Sequence, residues 1–416
     1  MVRILHTADW HLGQTLAGFS REEEHRAALD ALVDLAAREA VDAVIVAGDV
    51  FDTLNPSADA QTLYFDTLAR LRAARPHAAI VVVAGNHDPA GRLEAPRGLY
   101  RLADVHVTGT IARAADGYDL ARHLIPVRDA TGAIGAQVLA VPFPRVADLP
   151  PLDAATEGSP VVAGVRGLYR GMIAQAKAAI GDTPLVVTGH LHVAGGLESE
   201  GAERRILVGG EHAVPPEIFP AEAAYVALGH LHKPQRVGRD TIRYSGALFP
   251  LSKTESGYEH GATLVTLEGG MVQVEHRPLP RPVPVLRVPA RGALSRGEVE
   301  AALAALDLDP ATPFARRAFV YLNVAVEGPA TGLQAEIAEI AEGFPLRLVA
   351  VTLERPAATG EGAAEPVAMR LAERRPEEVF REAFALKHGA PPSPAHEEAF
   401  AALLAMDEDA ADEEAA

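Results

Sequence analysis

The chain has 416 residues, 48% of them hydrophobic, no cysteine, and a formal net charge of −18. That length exceeds one ordinary core, so two or three domains are expected. The lack of cysteine excludes disulfides and thiolate zinc centres. No apolar run approaches the roughly 18–20 residues that span a bilayer, and no signal-peptide pattern follows Met1, so the expected location is cytoplasmic.

In chain order, three apolar, β-branched runs read as buried strands: Val2 to Leu5, Ala43 to Ala47 and Ile80 to Ala84. Each runs into a polar motif: Thr7-Ala8-Asp9-Trp10-His11, Gly48-Asp49-Val50-Phe51-Asp52 and Gly85-Asn86-His87-Asp88. Sites in open α/β sheets form beyond the carboxyl ends of strands. Two carboxylates, a His and an Asn should therefore converge at one edge as a metal site. Its N and O ligands suit manganese, magnesium, iron or zinc.

Between the strands, Ser20 and Glu23 are spaced as a capping box ahead of a helical pattern through Ala28, Leu29, Leu32, Val33 and Ala36. Asn55-Pro56-Ser57 opens a second helix through Leu63, Leu68 and Leu71. This βαβαβ opening predicts a mostly parallel central sheet. Arg92 to Arg101 is a short basic stretch. It reads either as a solvated loop or as a phosphate-contacting edge, in which Arg92, Arg97 and Arg101 would bind substrate. From Val105 to Val141 the pattern turns to short segments with a turn at Asp129 to Ala133, which predicts antiparallel strands of a second sheet.

Tyr169 to Ile180 is predicted as a helix. Two strands with one design follow: Leu185 to Thr188 ends in Gly189-His190-Leu191-His192, and Tyr225 to Leu228 ends in Gly229-His230-Leu231-His232. On extended backbone, residues two apart share a face. Both His residues of one pair can therefore reach a shared site, each taking a different metal, and three of the four are expected as ligands.

The first domain is predicted over 1–280. Arg281 to Pro284 reads as a linker and 285–355 as a small α/β module, whose first helix is capped by Ser295 with Glu298 three on. Residues 356–366 read as a tether. Two short helices are predicted in 367–406, with Val379, Phe380, Ala383 and Phe384 on one side of the first and Phe400, Leu403 and Leu404 on one side of the second. They either pack back on the body or dock on a partner protein. Residues 407–416 form an acidic end. The negative charge argues on its face against nucleic acid as a partner. Half of it, however, lies after residue 360, where 14 acidic residues stand against 5 basic ones, and binding a polyanion needs only a local basic track.

The ordered set Asp9-x-His11, Gly48-Asp49, Gly85-Asn86-His87-Asp88, His190 and Gly229-His230-x-His232 resembles the calcineurin-like metallophosphoesterase superfamily over roughly residues 1 to 280. Ile4 to Gly13, Gly48 to Thr53 and Gly85 to Asp88, with the domain order, are more specifically similar to the SbcD-type nuclease subunits of bacterial SbcC–SbcD complexes. The resemblance implies a four-layer α-β-β-α sandwich with a small α/β capping domain and C-terminal partner-binding helices. It also implies two divalent metal ions, with manganese expected and magnesium the alternative. Asp9, His11, Asp49 and His232 would hold one ion, and Asp49, Asn86, His190 and His230 the other. His87 would act on the transition state or leaving oxygen. Asp52 and Asp88 would orient an imidazole or merely cap a turn.

The implied activity is a metal-dependent DNA exonuclease and endonuclease acting on double-strand ends, hairpins and single strands in repair and recombination. The implied setting is a homodimer in a heterotetramer with a coiled-coil SbcC-like ATPase, at the nucleoid and not at a membrane. Competing readings are a small-molecule phosphodiesterase, a protein phosphatase, or a non-catalytic DNA-end scaffold. His192 is expected beside the ligands or in a structural role. Trp10 and His6 are expected in the core, and His25, His212 and His260 carry no assignment.

Overall fold

The structure is a computed structural model. It describes residues 1–355, apart from 116, 151–158, 200–212, 327–329 and 331, together with 380, 381, 384, 392, 393, 396, 397 and 400. The chain divides into two compact units, Met1–Pro356 and Ala357–Ala416.

Two six-stranded sheets form the body of the first unit. One runs, in spatial order, Met271–Pro278, Gly261–Glu268, Val2–Thr7, Ala43–Ala47, Ala79–Val83 and Val105–Thr108. Its last four strands are parallel and the first two antiparallel. The other runs Gln235–Val237, Arg239–Tyr244, Ala223–Gly229, Leu185–His190, Ile134–Leu139 and Leu124–Arg128.

The period-two alternation of strand side chains sorts the core into layers. Ala43, Ile45 and Ala47, with Val81 and Val83, join Val138, Val186, Tyr225 and Ala227 between the sheets. Val44, Val46, Ile80 and Val82 face the other way, against Leu29, Leu32, Leu63 and Leu68 of the helices Glu22–Arg38 and Ala58–Ala74. The helix Pro160–Ile180 covers the outer face of the second sheet through Leu168, Met172 and Ile173. Burial on both faces is why these strands read as continuous apolar runs. The result is the four-layer sandwich expected.

Several local expectations are corrected. Ser20 and Glu23 form no capping box: the helix begins at Glu22 with Arg21 at its N-cap and no side-chain cap, and Ser20 Oγ only accepts from Glu22 N at 3.3 Å. Arg92 to Arg101 is not a loop but most of two short helices, Ala90–Glu94 and Arg97–Leu102. These make the crossover that returns Val105–Thr108 to the first sheet, parallel to Ala79–Val83, instead of starting the second. The second sheet is mixed, with parallel pairing of Leu185–His190 to both neighbours. Its helix begins at Pro160, with Ser159 accepting from Val162 N.

The module follows its predicted pattern. Val285–Val288, Phe319–Ala325 and Arg347–Glu354 form a three-stranded parallel sheet, Ser295 and Glu298 make the capping box, and the helices Val299–Ala304 and Leu333–Glu342 help close a separate core. In the second unit, Phe380 stacks on Phe400 at 4.2 Å between ring centroids, and Phe384 lies 4.8 Å from His396. The tether, residues Val379, Ala383, Leu403 and Leu404, the acidic end and His212 lie outside the described residues.

Candidate metal centre

Both sheets present their strand ends at the same seam. Gly48 makes the first turn at φ +93°, and a Cβ there would stand 2.2 Å from His190 Nδ1. Gly85 has no such room either, because its Cβ would lie 2.1 Å from Asp49 Oδ1. Four polar residues at these turns also hold positive φ: Asp9 at 53°, His11 at 46°, Asp49 at 49° and His230 at 107°. Such backbone is unfavourable for side-chain-bearing residues and persists where surrounding bonds over-determine it. Here those bonds are Asp9 N to Gly48 O and His11 N to Asp49 O, each 3.0 Å, and His230 N to Asp9 Oδ1 at 2.9 Å.

The buried ligand-type atoms fall into neighbouring groups. Asp9, His11 and His232 make one, and Asp49, His190 and His230 another, each with its ligand atoms within 4.8 Å of one another. Asp49 joins them: its Oδ2 is 3.2 Å from His190 Nε2 and 3.7 Å from His11 Nε2. Asn86 Oδ1 is 3.0 Å from the same His190 nitrogen. The second His pair thus sends one ring to each group, whereas His192 turns away to Glu198 at 3.3 Å.

The remaining hydrogen bonds set the tautomers. His190 Nδ1 lies 2.8 Å from Ala47 O, His11 Nδ1 3.2 Å from Asp52 Oδ1 and His232 Nδ1 2.9 Å from Glu255 Oε1. With Nδ1 of each ring committed to these acceptors, Nε2 is the nitrogen turned to the seam, where it offers a lone pair once a cation takes the place of any proton there.

A cation fits this donor set. Asp9 Oδ2 and His11 Nε2 are buried without a hydrogen-bond partner, an arrangement that costs free energy unless something positive lies between them. The local field favours positive charge. Burial alone would lower the His190 pKa, but Asp49 beside it raises it to about 9. Burial likewise pushes Asp49 up, yet the attraction of His190 wins and holds it well below the usual carboxylate range. Asp9, with less compensation, is raised by burial.

His87 is half-buried at the rim. Its amide donates to Asp49 Oδ1 at 2.9 Å, and its ring Nδ1 lies 2.8 Å from Asp52 O. Asp52 therefore orients two imidazoles, His11 through its carboxylate and His87 through its main chain. Asp88 is corrected: its buried carboxylate accepts from Gly85 N (2.7 Å), Phe51 N (2.9 Å) and Val50 N (3.1 Å). It pins two metal loops together and orients no imidazole through these bonds. Arg92 reaches Asn55 Oδ1 at 3.0 Å, beside the Asp52 loop. Arg97 and Arg101 are exposed on the following helix. His6 is a core residue, bridging the sheets to Tyr225 Oη at 2.9 Å and Leu228 O at 3.1 Å. Trp10 is fully buried, donating to Thr7 Oγ1.

Glu255 was not foreseen. Its one trace in the sequence is the spacing Ser252-Lys253-Thr254-Glu255, which reads as an ordinary helix start.

Paired clusters of carboxylate, imidazole and amide oxygen at the ends of two stacked sheets define a metal-dependent hydrolase of phosphoesters. Comparison with known proteins agrees. Residues 2–234 match the calcineurin-like phosphoesterase family, and residues 281–388 match a family described as the type 5 capsule protein repressor C-terminal domain. The chain is 52% identical to the D subunit of the nuclease SbcCD from Rhodobacter capsulatus, over 92% of this chain and 94% of that one. Proteins of the same description from Escherichia coli K12 and Bacillus subtilis 168 are 38% and 37% identical, covering 69% and 65% of this chain and 71% and 67% of theirs. The chain belongs to the calcineurin-like phosphoesterases and, within them, to the D subunits of SbcCD nucleases, and it is a metal-dependent phosphodiesterase.

Proposed function

We propose that the chain cuts DNA at double-strand ends, hairpins and single strands, using two divalent ions that share Asp49. Asp9, His11 and His232 would complete one ion's ligands, and Asn86, His190 and His230 the other's. The observation that carries this reading is the cluster of buried acceptors around Asp49, with Asp9 Oδ2 and His11 Nε2 left without hydrogen-bond partners. The mixed N and O donors suit manganese first and magnesium second. When bound, such a pair supplies an activated water and screens charge on the phosphate. Asp49 would offset the repulsion between two cations, while the neutral Asn86 and imidazoles would leave the site net positive for a phosphodiester.

His87 supplies the proton chemistry. Its Nδ1 is tied to Asp52 O, so in the imidazolium form Nε2 carries the proton that a departing oxygen takes up. Arg92, with Arg97 and Arg101 further along, gives the cationic edge that would follow the DNA backbone. The module over 285–355 would cap the site. The helices in 367–406 would grip the coiled coil of an SbcC-like ATPase, the partner that the resemblance implies; the relatives' names support a complex with an SbcC subunit. A homodimer within a heterotetramer, working in the cytoplasm at the nucleoid, is the assembly that the resemblance favours.

The test is a plasmid and hairpin cleavage assay with manganese, wild type beside His87→Ala. Loss of about 10²–10⁴-fold in rate, with metal content unchanged, is expected. Cleavage of nucleotide monoesters alone, or undiminished DNA cleavage in the variant, would overturn the assignment.

A further inference from the structure

His232 is held by a carboxylate that is itself built into a clamp. Glu255 is fully buried and ends the short 3-10 turn Lys253–Glu255. Its Oε1 takes the His232 Nδ1 bond at 2.9 Å, with Ser252 Oγ at 3.3 Å, while Oε2 accepts from Leu251 N at 2.8 Å. His260 braces the turn from behind, its ring nitrogens 3.1 Å from Glu255 O and from Ala247 O. A carboxylate on the far nitrogen of a ligating imidazole fixes its orientation and raises its basicity.

The segment leading into this turn is gripped at Pro250 by Arg21, which is 1% exposed. Arg21 donates to Pro250 O at 2.7 Å, to Gln14 Oε1 at 2.8 Å and, through two nitrogens, to both Glu24 oxygens at 2.8 Å. Gln14 in turn donates to Leu251 O at 3.3 Å. The guanidinium lies 4.6 Å from the Phe249 ring centroid and 5.4 Å from that of Phe319. Phe319 is fully buried in the central strand of the module. Arg347, from the next strand, stands 3.7 Å over the same ring and donates to Ser20 O at 3.3 Å. Two buried arginines from distant parts of the chain therefore meet on one aromatic ring of the module, and one of them bonds Pro250 O, at the entry to the turn that holds His232.

We propose that Glu255 is a positioning residue for His232, and that the Arg21–Phe319 contact makes the Asp9–His11–His232 ion site sensitive to how the 285–355 module is seated. The inference rests on the two-ion reading. It adds a route by which whatever moves the module, substrate or partner, reaches the His232 ion more directly than the other. The second group, Asp49, His190 and His230, has its own anchor in Ala47 O and meets this route only through Asp49 and the His230 N to Asp9 Oδ1 bond.

The experiment is manganese titration of the metal-stripped full chain by calorimetry, with bound metal counted after desalting and folding followed by circular dichroism. Wild type binds two ions. Glu255→Ala is expected to weaken one of them about 10–100-fold and the other by a clearly smaller factor. Glu255→Gln, which keeps one acceptor, restores part of the loss and covers the case in which the alanine variant does not fold. Phe319→Ala is expected to weaken the same ion by a smaller factor. Unchanged affinities in both Glu255 variants overturn the positioning role, as does equal weakening of both ions. A Phe319→Ala protein with wild-type affinities overturns the link to the module. If wild type itself binds no pair of ions, the two-ion reading fails instead, so the two failures are distinguishable.

Discussion

Asp88 and Asp52 show how neighbouring carboxylates in one sequence acquire opposite tasks. Asp88 is buried at the end of a motif rich in metal ligands, yet its oxygens are spent on three main-chain amides. Burial, with Asp49 nearby, pushes its pKa up to about 6 against the pull of those amides. Asp52, partly exposed, faces His11 instead. Glycine-Asn-His-Asp spelled out the loop but could not say which way the last carboxylate turns, because that depends on Val50 and Phe51 arriving from another strand. Asp88→Ala would leave three buried N–H groups unsatisfied, each costing about 1–3 kcal/mol. The expected outcome is a fall of several kcal/mol in unfolding free energy by denaturant titration. A loss below about 1 kcal/mol would mean that the amides find other partners. The residues Asp9, His11, Asp49, Asn86, His190, His230 and His232, which the structure gathers at the seam, were legible because each follows an apolar run. Glu255 was not, because its role exists only once His232 has been folded against it.

Strand ends, more than helices, determine the geometry. The three first-sheet strands and two second-sheet strands were readable from continuous apolar runs, since only doubly covered strands look that way. Val105–Thr108 was misassigned because its crossover is two helices of five and six residues, too short to show a 3.6-residue period. The close approach of the sheets at the site was marked by glycine alone. At Gly229 a Cβ would fall 2.0 Å from Ala47 O and 2.9 Å from both Ala8 Cβ and His190 Nδ1. None of these can yield without moving a strand or a ligand. Gly229→Ala is therefore expected to lower the melting temperature and to reduce bound manganese per chain. A variant with full metal content and wild-type stability would show that the sheets have slack at that point.

At the scale of the whole molecule, the sandwich is two sheets that bring complementary halves of one site. Asp9, Asp49 and Asn86 come from the first, His190, His230 and His232 from the second. The layered architecture came from a family likeness, whereas the pairing of strands into two sheets needed the long-range contacts themselves. His6, crossing to Tyr225 and Leu228, is a permanent fastening of that seam and needs no ion.

The split origin of the seam residues would make the proposed ions mechanical parts as well as reagents. Each would work as a rivet through both plates of the sandwich, with His6 as the weld that remains when the rivets are drawn. Chelation should then soften the join without separating it: the apo chain stays folded but melts earlier, and the melting point climbs with free manganese as binding to the folded state requires. A melting temperature indifferent to metal would mean that apolar packing and hydrogen bonds such as those of His6 hold the plates without the ions.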